Sequence, residues 1–121
     1  MRFPILFDPS YAALSRLLFL SPADSSVVVE SDEVHVRMAW GFRAHFPRSC
    51  VRQAALLDRK PLSRGIHGFG GRWLVNGSGR NIVTIDVEPR QRGYVMGMPV
   101  RLRQLSVSVE DPGGLMKALG V

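Results

Sequence analysis

The feature that most constrains this fold is a long alternation of apolar and polar residues that begins at Val34. One parity is apolar or small and the other is mostly polar; the apolar set is Val34, Val36, Met38, Trp40, Phe42, Ala44 and Phe46. A period of two is typical of a strand with one buried face and one wet face. Because thirteen residues is long for one strand, we expect Gly41 to bend it sharply or split it in two. The parity predicts that Trp40 and Phe42 point inward.

Shorter β patterns occupy most of the remaining chain. Strands are predicted at residues 26–30, 51–58, 72–76, 81–87 and 100–109. The Asn76-Gly77 pair predicts that residues 72–76 and 81–87 form a hairpin. Residues 59–71 and 90–98 are predicted loops. In the last strand the apolar parity switches near Arg103 and Gln104, which indicates a β-bulge or a corner that keeps both halves facing inward.

Helix signals stand at the two ends of this β region. Asp8 and Pro9 are typical of a helix start, and helical spacing of apolar residues predicts a helix over residues 9–20. Near the other end, Asp111 precedes Pro112, and Gly120 suits the position after the last helical turn. These signals predict a second short helix between Asp111 and Gly120 that is stabilised by docking.

Length and cysteine content narrow the class of protein. A chain of 121 residues suits a single domain spanning residues 1–121, with an ordinary apolar core. The lone Cys50 excludes an internal disulfide framework and a Cys-rich zinc site. Apolar stretches are too short for a membrane helix or a secretory signal, so we expect a cytoplasmic protein.

Positive charge is concentrated in the middle of the chain. The net charge is +6, but residues 34–103 carry 13 basic and 3 acidic residues. Such a field attracts nucleic acid, anionic lipid or an acidic protein face. Because 14 of the 16 cations are arginine, GC-rich coding is the alternative explanation.

The element order resembles that of the small bacterial pleckstrin-homology-like (PH-like) proteins. The segments that carry the resemblance are Trp40-Gly41-Phe42-Arg43-Ala44, Phe46-Pro47-Arg48-Ser49 and the strand 101–109 that enters Glu110-Asp111-Pro112. The resemblance covers about residues 27–119. It implies a mainly β fold, an antiparallel barrel or sandwich of six or seven strands with a C-terminal capping helix. It also implies a binding or assembly module without enzymatic activity or cofactor.

Two features depart from the PH-like pattern. The helix over residues 9–20 is an extra short N-terminal element. The first hairpin turn, Ser31-Asp32-Glu33, is acidic where a phosphoinositide-binding relative would carry lysines. Phosphoinositide binding at that turn is therefore not carried over.

Two basic, partly apolar loops are the candidate binding sites. The first is rich in glycine, and the second combines arginine with tyrosine and methionine. The candidate residues are Arg59, Lys60, Arg64, Ile66, His67, Phe69 and Arg72 in the first loop, and Arg90, Arg92 and Tyr94 in the second. In the first loop, cations beside protruding apolar residues favour an anionic membrane surface, and Phe69 also suits stacking on a base. The second loop suits a protein-binding surface. The alternatives are that Ile66 and Phe69 are buried beneath the first loop, and that the residues of the second loop belong to the edge of a core strand.

No catalytic or metal site is predicted. His35 and His45 meet only if the chain folds back at Gly41, and no metal-ligand spacing accompanies them or His67. Arg48 favours the thiolate form of Cys50, but the position of Cys50 before a buried strand is more typical of a small, inert apolar residue.

The first helix is apolar on most of its surface. Leu14, Leu17 and Leu18 either seal one end of the barrel or mediate association into a homo-oligomer.

We therefore predict a binding module that contacts a protein partner or an anionic membrane surface, with the inner face of the membrane as its place of peripheral association. One alternative is a small barrel that binds single-stranded nucleic acid through Arg37, Arg43, Arg101 and Arg103. Inward aromatic residues weaken it, because they leave few rings for base stacking. The other alternative is a small split-barrel enzyme that binds a cofactor.

Overall fold

The described chain is mainly β-sheet. The structure is a computed structural model that describes residues 1–17, 22–57 and 65–120. Its strands are β1 Arg2–Pro4, β2 Ser25–Val29, β3 Glu33–Met38, β4 Phe42–Pro47, β5 Val51–Leu56, β6 Gly65–Phe69, β7 Arg72–Asn76, β8 Ile82–Val95 and β9 Met98–Ser108. Its α-helices are α1 Pro9–Leu17 and α2 Pro112–Leu119. The predicted N-terminal helix is confirmed over residues 9–17, and residues 18–21 lie outside the described residues.

The strands form one curled, open sheet that resembles a half-barrel. The order along the sheet is β1-β2-β3-β4-β8-β9-β7-β6, and β5 pairs with β8 beside β4. After β1 the chain continues to a bridge between Ile5 and Val109, just beyond the end of β9. The mainly β class and the C-terminal helix are confirmed. The expected six or seven strands are too few, because the long alternation splits, residues 65–69 form a strand, and β1 adds an edge.

The long alternation is a hairpin rather than one strand. β3 and β4 pair antiparallel, with Val34 opposite Phe46 and Met38 opposite Phe42. The turn at residues 39–41 separates them, so the predicted split at Gly41 is confirmed. All members of the apolar set except Trp40 are buried, and Trp40 is 55% exposed. Its predicted inward position is wrong because it lies in the turn, where strand parity does not apply.

The predicted hairpin between residues 72–76 and 81–87 is also wrong. β7 pairs antiparallel with β6 and parallel with β9, with Val75 opposite Val107. The Asn76-Gly77 segment leads away from β7 instead of reversing it, and the Gly77 carbonyl accepts a hydrogen bond from the Asp8 amide at 2.8 Å. These non-local contacts outweigh the local preference of Asn-Gly for a tight turn.

Both predicted loops contain strand. Residues 65–69 form β6, whereas residues 58–64 lie outside the described residues. Residues 90–98 contain the end of β8, the start of β9 and the turn that joins them. That turn is Met96-Gly97, and both residues have positive φ, at 49° and 81°. Such a two-residue turn matches the twist of an antiparallel hairpin.

The predicted irregularity near Arg103 and Gln104 is confirmed, but its extra residues lie in β8 and not in the last strand. Asp86 lies opposite Gln104 and Gln91 lies opposite Leu102, so residues 87–90 of β8 lie opposite a single residue of β9. Leu102 and Leu105, on either side of this irregularity, are both fully buried. The bulge therefore bends the hairpin while both halves supply the core, as expected.

Helix α2 has the predicted caps and lies against the sheet. Asp111 Oδ1 accepts a hydrogen bond from the Gly114 amide at 3.0 Å, and Gly120 adopts a left-handed φ of 72°. Leu115 and Leu119 are buried in the core. The Arg48 guanidinium, between β4 and β5, donates a 2.6 Å hydrogen bond to the Ala118 carbonyl at the last turn. A cation at this end of a helix stabilises it through the macrodipole.

We expect Arg48→Gln to lower the free energy of unfolding by about 1 to 2 kcal/mol, because the carbonyls at the end of α2 lose a charged donor. Urea unfolding measures this change. Arg52→Gln, at an exposed position of β5, is the control and should leave stability nearly unchanged. Equal losses in the two variants would contradict this role of Arg48.

Candidate binding face at the hairpin turns

Two hairpin turns, the β3–β4 turn and the β8–β9 turn, meet where the inner strands of the sheet end. The Met96 amide of the β8–β9 turn donates a hydrogen bond to the Gly41 carbonyl of the β3–β4 turn at 2.8 Å. Trp40, Met96 and Met98, in or next to these turns, are 55%, 62% and 68% exposed. These three side chains are called the hairpin tip. Large apolar side chains gathered in this way are typical of a contact surface.

Basic and aromatic side chains lie directly behind the hairpin tip. Arg37 and Arg43 are opposite each other in β3 and β4, and Arg43 is opposite Tyr94 of β8. The Arg43 guanidinium lies 5.2 Å from the centre of the Tyr94 ring, within range of a cation–π contact. A depression of about 320 Å³ is lined by Arg37, Ala39, Trp40, Arg43, Tyr94 and Gly97. It is called the tip depression.

A second depression lies further along β8 and β9. Arg92 and Arg101 are directly opposite each other, and Arg90 precedes Arg92 by two residues on β8. Together with Gln91 they line a volume of about 200 Å³. This second volume is called the arginine depression. The predicted site residues Arg90, Arg92 and Tyr94 thus lie along one strand and border the two depressions.

Among the described residues, no carboxylate lies within 4.0 Å of the arginines of this face. β4 and residues 91–95 and 98–103 contain no Asp or Glu. The ion pairs between described side chains lie elsewhere and join His35 to Glu30 at 3.2 Å and to Glu33 at 3.8 Å. Like charges directly opposite on a sheet destabilise it. Two such arginine pairs on one face therefore favour a role in binding an anion.

The fold brings His35 and His45 together. Their rings are stacked with centres 5.6 Å apart, because the chain reverses at the β3–β4 turn. Within the described ranges, no group of three or more His, Cys, Asp or Glu residues is arranged to hold a metal ion.

The first predicted loop is only partly described. Arg59, Lys60 and Arg64 lie outside the described residues, as does the side chain of Phe69. His67 and Arg72 are exposed, whereas Ile66 is half-buried and packs against the core.

Local structure explains the glycines of this segment. The Trp73 indole lies over Gly68 and occupies the space of a β-carbon there, while Gly70 and Gly71 have positive φ in the β6–β7 turn. The Gly71 carbonyl accepts hydrogen bonds from the amides of Arg103 and Gln104. The turn therefore borders β9 on the side opposite β8.

Sequence reasoning did not place the hairpin tip in the binding site. The sequence suggested Arg37, Arg43 and Arg101 only for the nucleic-acid alternative, and neither Met96 nor Met98 was a predicted site residue. Recognising Met96-Gly97 as a two-residue turn would have placed these methionines at the exposed end of a hairpin. The signal is weak because methionine is rarely used at positive φ.

Helix α1 is anchored to the sheet near its first turn. Ser78 Oγ donates a hydrogen bond to Asp8 Oδ1 at 2.8 Å, and the rings of Phe7 and Tyr11 stack with centres 5.9 Å apart. Burial raises the pKa of the Tyr11 phenol above its usual value.

The apolar surface of α1 is described only in part. Leu14 is 51% exposed, while the Leu17 side chain and all of Leu18 lie outside the described residues. Across the described ranges, no helix combines the length and apolar character needed to span a bilayer.

Comparison of the chain with protein-family models, curated proteins and solved structures gives no match.

We expect Arg101→Gln to raise the free energy of unfolding by about 0.5 kcal/mol in phosphate-free buffer of low ionic strength, because it removes the repulsion between Arg101 and Arg92. The gain should shrink as sodium chloride is added, since salt screens exposed charges. Urea unfolding at two salt concentrations measures both effects. A stability loss that does not depend on salt would contradict like-charge strain at this pair.

Proposed function

We propose that this protein is a non-enzymatic, PH-like binding module that attaches to an anionic membrane surface through its hairpin tip. The observation that carries the proposal is the adjacency of the β3–β4 and β8–β9 turns, with Trp40, Met96 and Met98 exposed and Arg37 and Arg43 behind them. Tryptophan favours the boundary between headgroups and acyl chains, and methionine adapts to irregular apolar surroundings. The tip supplies the apolar contact, and the arginines supply the charge that attracts anionic lipid.

Distances along the strands suit this arrangement. Tyr94 precedes Met96 by two residues, which is about 7 Å along an extended strand. Arg43 lies beside Tyr94 in the register, so its guanidinium is at the same level behind the turn. When the tip enters the boundary between headgroups and acyl chains, Arg37 and Arg43 therefore reach the lipid phosphates. Basic residues near an anionic surface each contribute about 1 kcal/mol.

Single-stranded nucleic acid is the competing ligand. The exposure of Trp40 supports it, because an exposed indole is available for base stacking and a ring that pointed inward would not be. Two observations favour lipid instead. Arg43 covers one side of the Tyr94 ring, which reduces the surface left for base stacking. Met96 and Met98, which are more exposed than Trp40, offer no ring to a base.

The PH-like relation is supported by α2, which packs Leu115 and Leu119 into the core at the curled sheet. The parallel pairing of β7 with β9 and the added strand β1 fall outside that pattern. Self-association through Leu14, Leu17 and Leu18 is a separate proposal, for which the exposure of Leu14 is the supporting observation.

We expect the triple variant Trp40→Ser, Met96→Ser and Met98→Ser to bind vesicles of phosphatidylglycerol and phosphatidylcholine at least about tenfold more weakly than the unaltered protein, because it loses its apolar contact. Vesicle sedimentation measures the binding. Leu56→Ser, which alters an exposed apolar residue elsewhere, is the control and should bind normally. Equal binding by both variants would contradict a role for the hairpin tip.

We also expect Arg37→Gln with Arg43→Gln to weaken binding to the same vesicles, because the charge behind the tip is lost. Arg52→Gln with Arg80→Gln, which removes the same charge from exposed positions elsewhere, should have little effect. Vesicles of phosphatidylcholine alone and a labelled single-stranded oligonucleotide complete the comparison. Negligible binding to anionic and neutral vesicles alike would exclude the membrane proposal. Tight, salt-dependent binding to the oligonucleotide alone would favour the nucleic-acid alternative.

A further inference from the structure

The arginine depression is a separate feature of the same face. Arg90, Arg92 and Arg101 surround a volume of about 200 Å³. The side-chain amide of Gln91, which also lines it, already donates hydrogen bonds to the Pro89 carbonyl at 2.9 Å and to Cys50 Sγ at 3.4 Å. The donors left to face a ligand are therefore the three guanidinium groups.

These guanidinium groups have no anionic partner in the described part of the chain. No described carboxylate lies within 4.0 Å of any of them. Arg92 and Arg101 are directly opposite each other across the β8–β9 ladder, an arrangement that costs stability without an anion. An anion held between them would turn this repulsion into attraction.

We infer that the arginine depression binds a single phosphate group, either inorganic phosphate or a phosphate monoester. Guanidinium presents planar, paired donors that match the oxygens of phosphate. A phosphate dianion has enough oxygens to accept hydrogen bonds from three arginines, and their three positive charges more than offset its two negative ones. The small volume suits one such group rather than a stretch of polymer.

This site does not depend on the proposed membrane contact. Arg92 is four residues from Met96, which is about 13 Å along the strand. No residue of the hairpin tip lines the arginine depression. The two proposals can therefore fail separately.

Thermal unfolding in phosphate-free buffer tests the inference. Inorganic phosphate, sulfate and chloride are each titrated at constant ionic strength, and we expect a saturable rise in Tm with phosphate that exceeds the rise with sulfate or chloride. Arg92→Gln with Arg101→Gln should weaken phosphate binding at least about tenfold. Arg52→Gln with Arg80→Gln should bind phosphate normally. Equal shifts with all three anions, or an unchanged shift in the Arg92 and Arg101 variant, would overturn the inference.

Two further experiments distinguish a soluble from a lipid source of phosphate. A third measurement, on the hairpin-tip variant, distinguishes this site from the proposed membrane contact. Glycerol phosphate tests a soluble monoester, and vesicles that contain phosphatidic acid test a lipid monoester. The response to glycerol phosphate should depend on Arg92 and Arg101, and so should any excess of binding to phosphatidic acid vesicles over phosphatidylglycerol vesicles of equal charge. The hairpin-tip triple variant should retain binding of inorganic phosphate. Phosphate binding without vesicle binding would support this site and exclude the membrane contact, and the reverse would exclude this site alone.

Discussion

The β8–β9 hairpin is the element on which the rest of the sheet depends. β8 pairs with β4 and β5 on one side and with β9 on the other, while β9 also pairs with β7. The turn Met96-Gly97 closes this hairpin, and the Met96 amide holds the β3–β4 turn through the Gly41 carbonyl. Because this hydrogen bond joins the ends of the two hairpins, it keeps the side chains of both turns together at the candidate binding face.

Because side chains alternate along these strands, core residues lie on one face of the hairpins and exposed arginines lie on the other. Phe42 and Leu102 point into the core and are almost fully buried. Arg43 and Arg101, their neighbours by one residue, are exposed on the other face. Burial of the apolar set stabilises the sheet strongly enough to tolerate opposed arginines, whose repulsion costs only a fraction of a kcal/mol per pair. The residues that stabilise the sheet and the arginines of the proposed sites thus lie on opposite faces of the same strands.

Periodicity in the sequence predicted the buried face well and the ends of strands poorly. It identified the buried residues of β3 and β4 but misplaced Trp40, because parity carries no information about where a turn begins. Asn76-Gly77 predicted a hairpin, yet β7 pairs in parallel with the distant strand β9. Met96-Gly97 forms the real turn with a residue that rarely signals one. The opposition of Arg92 and Arg101 follows from that register, so the sequence alone did not reveal the arginine depression.

The depth of Trp40 in a bilayer tests the proposed membrane attachment most directly. Trp73→Phe leaves Trp40 as the only tryptophan, since the chain has two. With anionic vesicles whose acyl chains are brominated near the headgroup, insertion of the hairpin tip predicts a blue shift of Trp40 emission and strong quenching, weaker when bromine lies near the chain ends. Unchanged emission and no quenching, while the protein is shown to be folded, would contradict insertion of the hairpin tip.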